Sequence, residues 1–148
     1  IVKERIPEAE LWIIGDGYFR KDLEKIATGG VKFFGGLSNL ERRKLMSRAW
    51  VLVHPSVREG WGLNVVEAAA FVVPSVAYDV AGLRDSVRDG VTGLLVEDGN
   101  IEALGEALIR VLEDEGLRLR LSKNALEYAK GFSWDRSAEE FLKVLDGL

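Results

Sequence analysis

Cysteine is absent from the 148 residues, and His54 is the only histidine. The first absence excludes disulfides and thiolate metal sites, and a single imidazole is too few for a zinc centre built on histidine. No apolar run reaches the roughly 18 residues that cross a bilayer, and no leader with the pattern of a signal peptide is visible. We therefore expect a cytoplasmic protein without disulfides, a metal site or a membrane span.

Positive charge is scarcer than negative charge, with 20 Lys and Arg against 24 Asp and Glu and a net charge of −4. A nucleic-acid partner usually requires a basic face, and Arg42, Arg43 and Lys44 form only a local cluster. Nucleic acid is therefore not an expected partner. The hydrophobic content of 47% is enough for the core of one domain over residues 1–148.

The first half of the chain contains two units of strand, glycine loop and helix. Short apolar runs predict strands over Glu10–Ile14 and Val31–Phe34, and apolar residues at helical spacing follow each of them. The first strand ends in Gly15-Asp16-Gly17 and the second in Gly35-Gly36. Asp-Gly is common turn chemistry, so the first loop alone says little about a ligand.

Helix boundaries are marked by capping residues. Ser38 and Glu41 form the pattern of a capping box, and Asn100 and Ser133 precede two further apolar stripes. Gly116 is expected to separate two helices. The later helices are predicted over Ile101–Leu112, Leu117–Ala129 and Trp134–Leu145, and the later strands over Ser75–Tyr78 and Leu94–Val96.

The segment Arg58–Ala70, which reads REGWGLNVVEAAA, follows a strand predicted over Trp50–His54. Its glycines permit a tight turn, and from Leu63 onward apolar residues recur at helical spacing. We call the segment Arg58–Ala70 the elbow. The first N–H groups of a helix lack intrahelical partners and the helix dipole favours negative charge there, so the elbow is suited to an anion. Glu59 lies on the loop and Glu67 one turn into the helix.

The alternation of strands and helices predicts an α/β fold, a Rossmann-like parallel sheet of about five strands flanked by helices. In such sheets ligands bind beyond the carboxyl ends of the strands. The loops at Gly15, Gly35 and Gly60 all follow strands, so we expect them to lie along one edge.

Taken together, these segments resemble the carboxy-terminal, donor-binding domain of the retaining glycosyltransferases of family 4 (group 1), which have the GT-B architecture. The resemblance covers nearly the whole chain, through IIGDG, VKFFGGLS, WVLVHPSVREGWGLNVVEAAA, VPSVAYDVAGLRDSV, DGVTGLLVEDGN and FSW. The central signature of the family is two glutamates separated by seven residues. Glu59 and Glu67 match it, with Gly62 and Leu63 between them.

The resemblance implies that this domain binds a nucleotide sugar, without a metal or other cofactor. Glu67 is expected to bond the ribose hydroxyls, and Glu59, the catalytic candidate, to face the donor sugar. Ionised carboxylates suit hydroxyl donors, whereas a diphosphate needs N–H groups and cations. The other donor-binding residues implied are Gly60, Trp61, Gly62 and Leu63 for sugar or diphosphate, and Gly15, Asp16, Gly17, Gly36, Leu37 and Ser38 around the base.

The chain departs from the family at its start, because members carry an arginine and lysine pair on the first strand and helix of this domain. We expect a truncated piece whose partner is the N-terminal domain of the same protein, which holds the acceptor and provides any attachment to a membrane surface. Without the cations that neutralise the diphosphate, the chain alone is expected to lack transferase activity. Because the first strand is missing, we expect one of two outcomes: the remaining strands pair directly with one another, or the chain self-associates through an exposed sheet edge.

Other readings stay open at this point. A glycosidase would place the two carboxylates on either side of one glycosidic bond, about 5 to 10 Å apart. An epimerase of the same architecture and a non-catalytic binding or assembly domain are further alternatives. Val72, Ala81 and Asp85 replace residues that are frequent in the family, which weakens the inference about the floor of the site.

The remaining histidine and tryptophans are assigned from their local context. His54, at a strand end beside a proline, is interpreted as a structural residue. Trp12, Trp50 and Trp134 are expected in the core or at an interface, and Trp61 near a ligand.

Overall fold

The structure is a computed structural model that describes residues 1–147. Among these residues, no helix is long and apolar enough to cross a membrane. The elements in chain order are α1 (Val2–Arg5), β1 (Leu11–Ile14), α2 (Arg20–Ile26), β2 (Val31–Gly35), α3 (Asn39–Met46), β3 (Leu52–His54), α4 (Leu63–Ala70), β4 (Ser75–Tyr78), α5 (Leu83–Ser86), β5 (Gly93–Val96), α6 (Ile101–Glu113), α7 (Glu115–Ala129) and α8 (Trp134–Asp146).

The five strands confirm the predicted α/β class, and every strand pairing is parallel. They form two hydrogen-bonded sheets instead of one continuous sheet: β1 with β2, and β3 with β4 and β5. Within residues 1–147, the strands of the two sheets therefore do not close into one sheet by pairing directly with each other. One edge of β1 and one edge of β3 carry no paired strand there.

The hydrophobic core lies around the second sheet. Val76, Leu83, Val111 and Leu121 are completely buried, and they come from β4, α5, α6 and α7. By contrast, the only buried residue in the first 50 is Gly35. The elbow between β3 and α4 thus belongs to the better packed half of the domain.

Several boundaries differ from the predictions. β3 begins at Leu52, and Trp50 before it is 58% exposed. Arg118 stacks on the Trp50 ring at 4.2 Å, so a cation covers this ring in place of a hydrophobic core.

α7 begins at Glu115 because Asp114 caps it, so Gly116 lies inside a helix. α5 is an additional short helix that the apolar pattern did not predict.

The capping predictions are confirmed at Ser38, Asn100 and Ser133, whose side chains accept hydrogen bonds from the first turns of α3, α6 and α8. Trp12 is half-buried and packs edge-on against Phe34. Trp134 is 86% exposed, so it lies outside the core, and an interface position for it stays a prediction.

Candidate functional site

The glycine loops after β1 and β2 lie side by side, because these strands are parallel neighbours. The amide of Gly15 donates to the carbonyl of Gly35 at 2.8 Å. Asp16 accepts from the amide of Gly17 at 2.8 Å, which fixes its carboxylate on the loop. A Cβ atom added at Gly15, Gly17 or Gly36 would meet no atom within 4 Å, so the surface beside both loops is open.

Ser38, at the end of the second loop, is committed to the start of α3. Its hydroxyl accepts from the amide of Glu41 at 3.3 Å, and its own amide donates to the Glu41 carboxylate at 2.9 Å. The Ser38 hydroxyl also donates to the Glu41 carboxylate at 2.5 Å, and this bond, followed by that of the Ser38 amide, lowers the pKa of the Glu41 carboxyl. Leu37 beside it is half-buried. The loop is therefore held rigidly by the predicted capping box.

The elbow turns into α4 through Gly62, which has φ +78° and ψ +57°. This left-handed conformation favours glycine, and a Cβ atom here would lie 2.8 Å from Leu83 Cδ2. Its N-cap residue, Gly62, has no side chain to cap α4, and no side-chain hydrogen bond caps the amides of the first turn. Gly60, by contrast, has open space around its Cα. The predicted helix start suited to an anion is present.

Glu59 is held by three groups of its own neighbourhood. Its carboxylate lies 3.0 Å from Nε2 of His54 and accepts from the amide of Gly60 at 3.2 Å. An ionised carboxylate only accepts, so His54 donates. The His54 bond, followed by the amides of Gly60 and Gly62, lowers the pKa of the Glu59 carboxyl. Glu59 is therefore a fixed anion at the rim of the elbow.

This contact agrees with the interpretation of His54 as a structural residue and identifies Glu59 as its partner. The His54 side chain is 15% exposed, and it belongs to the last residue of β3, five positions before Glu59. The available signal was this position at the carboxyl end of a strand that leads into the elbow.

Replacing His54 with Phe should raise the pKa of Glu59 toward its ordinary value, because the largest stabilising contact of the carboxylate is removed. A carboxyl with a lowered folded-state pKa adds stability above its unfolded pKa and loses it as the pH falls through the folded value. The stability difference between wild type and His54→Phe should therefore shrink in acid. Carbon-13 NMR titration of the carboxyl groups measures the shift, with Glu41 as the internal control. An unchanged Glu59 titration would contradict the assignment.

Glu67 meets Arg42 of α3. Both terminal nitrogens of the guanidinium donate to the carboxylate, and the Nη2–Oε1 distance is 3.3 Å. The pairing raises the pKa of Arg42. The Glu67 side chain remains 44% exposed, so the pair does not enclose it completely. From the sequence, Arg42 was assigned only to a local basic cluster.

Gly82, which was not singled out from the sequence, lies directly beneath the elbow loop. It has φ +82°, and a Cβ atom there would be 2.2 Å from the carbonyl oxygen of Glu59. No side chain fits between the two segments. Gly82 therefore sets how closely the loop approaches α5.

The ring of Trp61 is anchored on the turn between α7 and α8. It packs edge-on against Phe132 at 5.6 Å, and Phe132 packs against Tyr128 at 5.0 Å. The Tyr128 hydroxyl donates to the carbonyl of Asp85 at 2.6 Å, and burial raises its pKa. The ring thus supports the loop by packing on the turn between α7 and α8. The backbone amide of Trp61 is the group that remains available within the elbow.

The combined arrangement offers two carboxylates, two open glycine loops and an uncapped helix start. Carboxylates accept from hydroxyl groups, and free amides at a helix start donate to oxyanions. Within residues 1–147, no three His, Asp or Glu side chains come together as a metal site. Gly15, Asp16, Gly17 and Gly36 are brought together at the end of the first sheet, and Glu59 and Gly60 at the end of the second.

Comparison with known sequences finds related proteins. The family model described as glycosyl transferases group 1 matches residues 1–128. Poly(glycerol-phosphate) alpha-glucosyltransferase of Bacillus subtilis is 35% identical over 151 residues, which cover 99% of the chain and 22% of the relative. An uncharacterized glycosyltransferase of Methanocaldococcus jannaschii is 34% identical over 140 residues, covering 92% of the chain and 40% of the relative. The chain thus spans less than half the length of these relatives.

Solved structures agree as well. Sucrose-phosphate synthase from Thermosynechococcus elongatus shares 28% identity at a TM-score of 0.85, over 99% of the chain and 40% of that protein. HepE of Anabaena, solved in complex with UDP, shares 25% identity at a TM-score of 0.87, over 96% of the chain and 42% of that protein. These matches confirm the resemblance drawn from the sequence motifs. The chain belongs to the group 1 glycosyl transferases.

Proposed function

We propose that the chain is the donor-binding part of a glycosyltransferase that moves a sugar from a nucleoside diphosphate to an acceptor. The observation that carries the proposal is the elbow, where an uncapped helix start lies between the fixed carboxylate of Glu59 and the partly exposed side chain of Glu67. The UDP bound to a relative of the same fold supports a nucleotide as the ligand class. The absence of cysteine supports a cytoplasmic setting.

Each group in the elbow has the chemistry for one part of the donor. Glu67 accepts from the ribose hydroxyls and Glu59 from hydroxyls of the transferred sugar. The amides from Trp61 to Leu63 donate to sugar or diphosphate oxygens, aided by the positive end of the α4 dipole. The open loops at Gly15–Gly17 and Gly36–Ser38 enclose the base. The donor is the only small molecule that the site needs.

In the transfer step, the bond between the anomeric carbon and the diphosphate oxygen breaks. The acceptor oxygen takes its place on the same face of the sugar, with retention, and the proton of the acceptor hydroxyl passes to an oxygen of the departing diphosphate. Negative charge develops on the diphosphate, where oriented amides lower the barrier. Full neutralisation requires cations in addition to these amides, so the chain by itself is expected to bind the donor without transferring the sugar.

The proposal predicts nucleotide binding that depends on Glu67. Isothermal titration of the 148-residue chain with UDP, ADP and GDP should detect at least one of them. Glu67→Ala and Glu67→Gln should weaken that binding about tenfold or more, because each removes a charged acceptor for ribose. Glu102→Ala, which removes an exposed carboxylate from α6, is the matched control and should bind as wild type does.

Two results would contradict the proposal. The first is the absence of binding by all three nucleotides and by their sugar conjugates. The second is binding that Glu67→Ala and Glu102→Ala weaken equally. Hydrolysis of simple aryl glycosides by the chain would favour a glycosidase instead.

A further inference from the structure

The ion pair between Arg42 and Glu67 connects the two halves of the candidate site. Arg42 lies on α3, which follows the open loop after β2, and Glu67 lies on α4, which follows the elbow after β3. The strands of these two units belong to different sheets and share no hydrogen bonds within the described residues. The guanidinium therefore bridges the loop assigned to the base and the helix assigned to the ribose.

The geometry of the pair differs from that of an ordinary surface ion pair. Both terminal nitrogens of Arg42 engage the carboxylate, and the Arg42 side chain is only 31% exposed. A planar guanidinium with two parallel N–H donors fixes both the position and the plane of a carboxylate. Single-contact surface pairs, such as Lys25 with Asp22, provide no such orientation.

Counting acceptor sites shows that this pairing leaves room for a ligand. An ionised carboxylate has about four lone-pair sites, and the two guanidinium N–H groups occupy about two of them. The other two stay available, and 44% of the Glu67 side chain is exposed. Two adjacent hydroxyls on one ribose ring are a matching pair of donors, and a 2′-deoxyribose has only one of them.

We propose that Arg42 is a positioning residue that orients Glu67 for the ribose diol, so that the pair selects ribonucleotides over 2′-deoxyribonucleotides. This inference rests on the proposed function of the elbow. The contrasting role would be a latch in which Arg42 competes with ribose for Glu67. The exposed part of the Glu67 side chain argues against the latch, because ribose can approach without displacing the guanidinium.

The test is the ratio of two affinities. The 148-residue chain is titrated with UDP, ADP and GDP, each beside its 2′-deoxy counterpart. We expect wild type to bind the tightest ribonucleotide about tenfold more strongly than its deoxy form, the effect of one hydrogen bond to a charged acceptor. Arg42→Leu should lose most of this ratio by weakening the ribonucleotide alone. Arg42→Lys should retain part of it, because one donor remains.

Arg43→Leu is the matched control, since Arg43 is the exposed neighbour on the same helix. It should keep the wild-type ratio. Tighter ribonucleotide binding by Arg42→Leu would overturn the inference and indicate a latch. An unchanged ratio of ribonucleotide to deoxyribonucleotide affinity in both Arg42 variants would also overturn it and indicate a purely structural pair. Binding by wild type with either of these results leaves the proposed function standing. No binding by wild type would remove both.

Discussion

Gly82→Ala should destabilise the domain by roughly 3 to 5 kcal/mol, a sum of backbone strain and steric overlap. The left-handed φ of +82° is unfavourable for alanine, and its Cβ would lie 2.2 Å from the Glu59 carbonyl oxygen. The contact is with backbone, so no side-chain rotation relieves it. Urea denaturation measures the loss in the free energy of unfolding.

The matched control is Gly90→Ala. Gly90 has a similar φ of +69°, but a Cβ atom there would meet no atom within 4 Å. Only the backbone strain applies at this position, so Gly90→Ala should lower the free energy of unfolding by about 1 to 2 kcal/mol. Equal losses in the two variants would show that the close approach of Gly82 to the elbow is not what matters. A larger loss at Gly82, together with a changed Glu59 titration, links this glycine to the site.

Leu83→Ala should cost about 2 to 5 kcal/mol, the range for buried leucines that leave a cavity. Leu83 is completely buried and packs with Val65, Ala77 and Val87. Its side chain also lies directly under Gly62, as the 2.8 Å approach of an added Cβ atom shows. The cavity would therefore form beneath the turn that begins α4. Denaturation by urea gives the stability change, and nucleotide titration reports the effect on the elbow.

Leu119→Ala provides the same chemical change on an exposed surface. Leu119 lies on α7 and is 59% exposed, so we expect a change within about 0.5 kcal/mol. A comparable loss at both leucines would contradict the placement of the core beneath the elbow. A loss at Leu83 without any change in nucleotide affinity would show that the elbow keeps its shape independently of this support.

The order of strands and helices could be predicted because it depends on local patterns. The capping box at Ser38 and the turn at Gly62 each follow from a few neighbouring residues, and both are present. The helix of Glu67 was predicted for the same reason, since apolar residues recur at the spacing of one face. The family motif then connected these local features to one ligand class.

The contacts that complete the site could not be predicted in this way. Arg42 and Glu67 are 25 residues apart, and Gly82 meets Glu59 only after β4 has returned the chain beneath the loop. Periodicity carries no information about such pairings. The division into two sheets was also missed, because short strands of similar composition do not specify which of them share hydrogen bonds. The structural role of His54 was predicted, but its partner Glu59 was not.

The central claim is that the elbow and its flanking glycine loops bind a nucleotide. Amide-resolved NMR titration of the 148-residue chain with UDP, ADP and GDP tests it most directly. We expect the largest shifts on the amides of residues 60–63, 15–17 and 36–38, and we expect Glu67→Ala to need about tenfold more nucleotide to reach the same shifts while that variant stays folded. Shifts confined to the cavity of about 400 Å³ between Arg88 and Arg136, or no shifts with any of the three nucleotides, would contradict it.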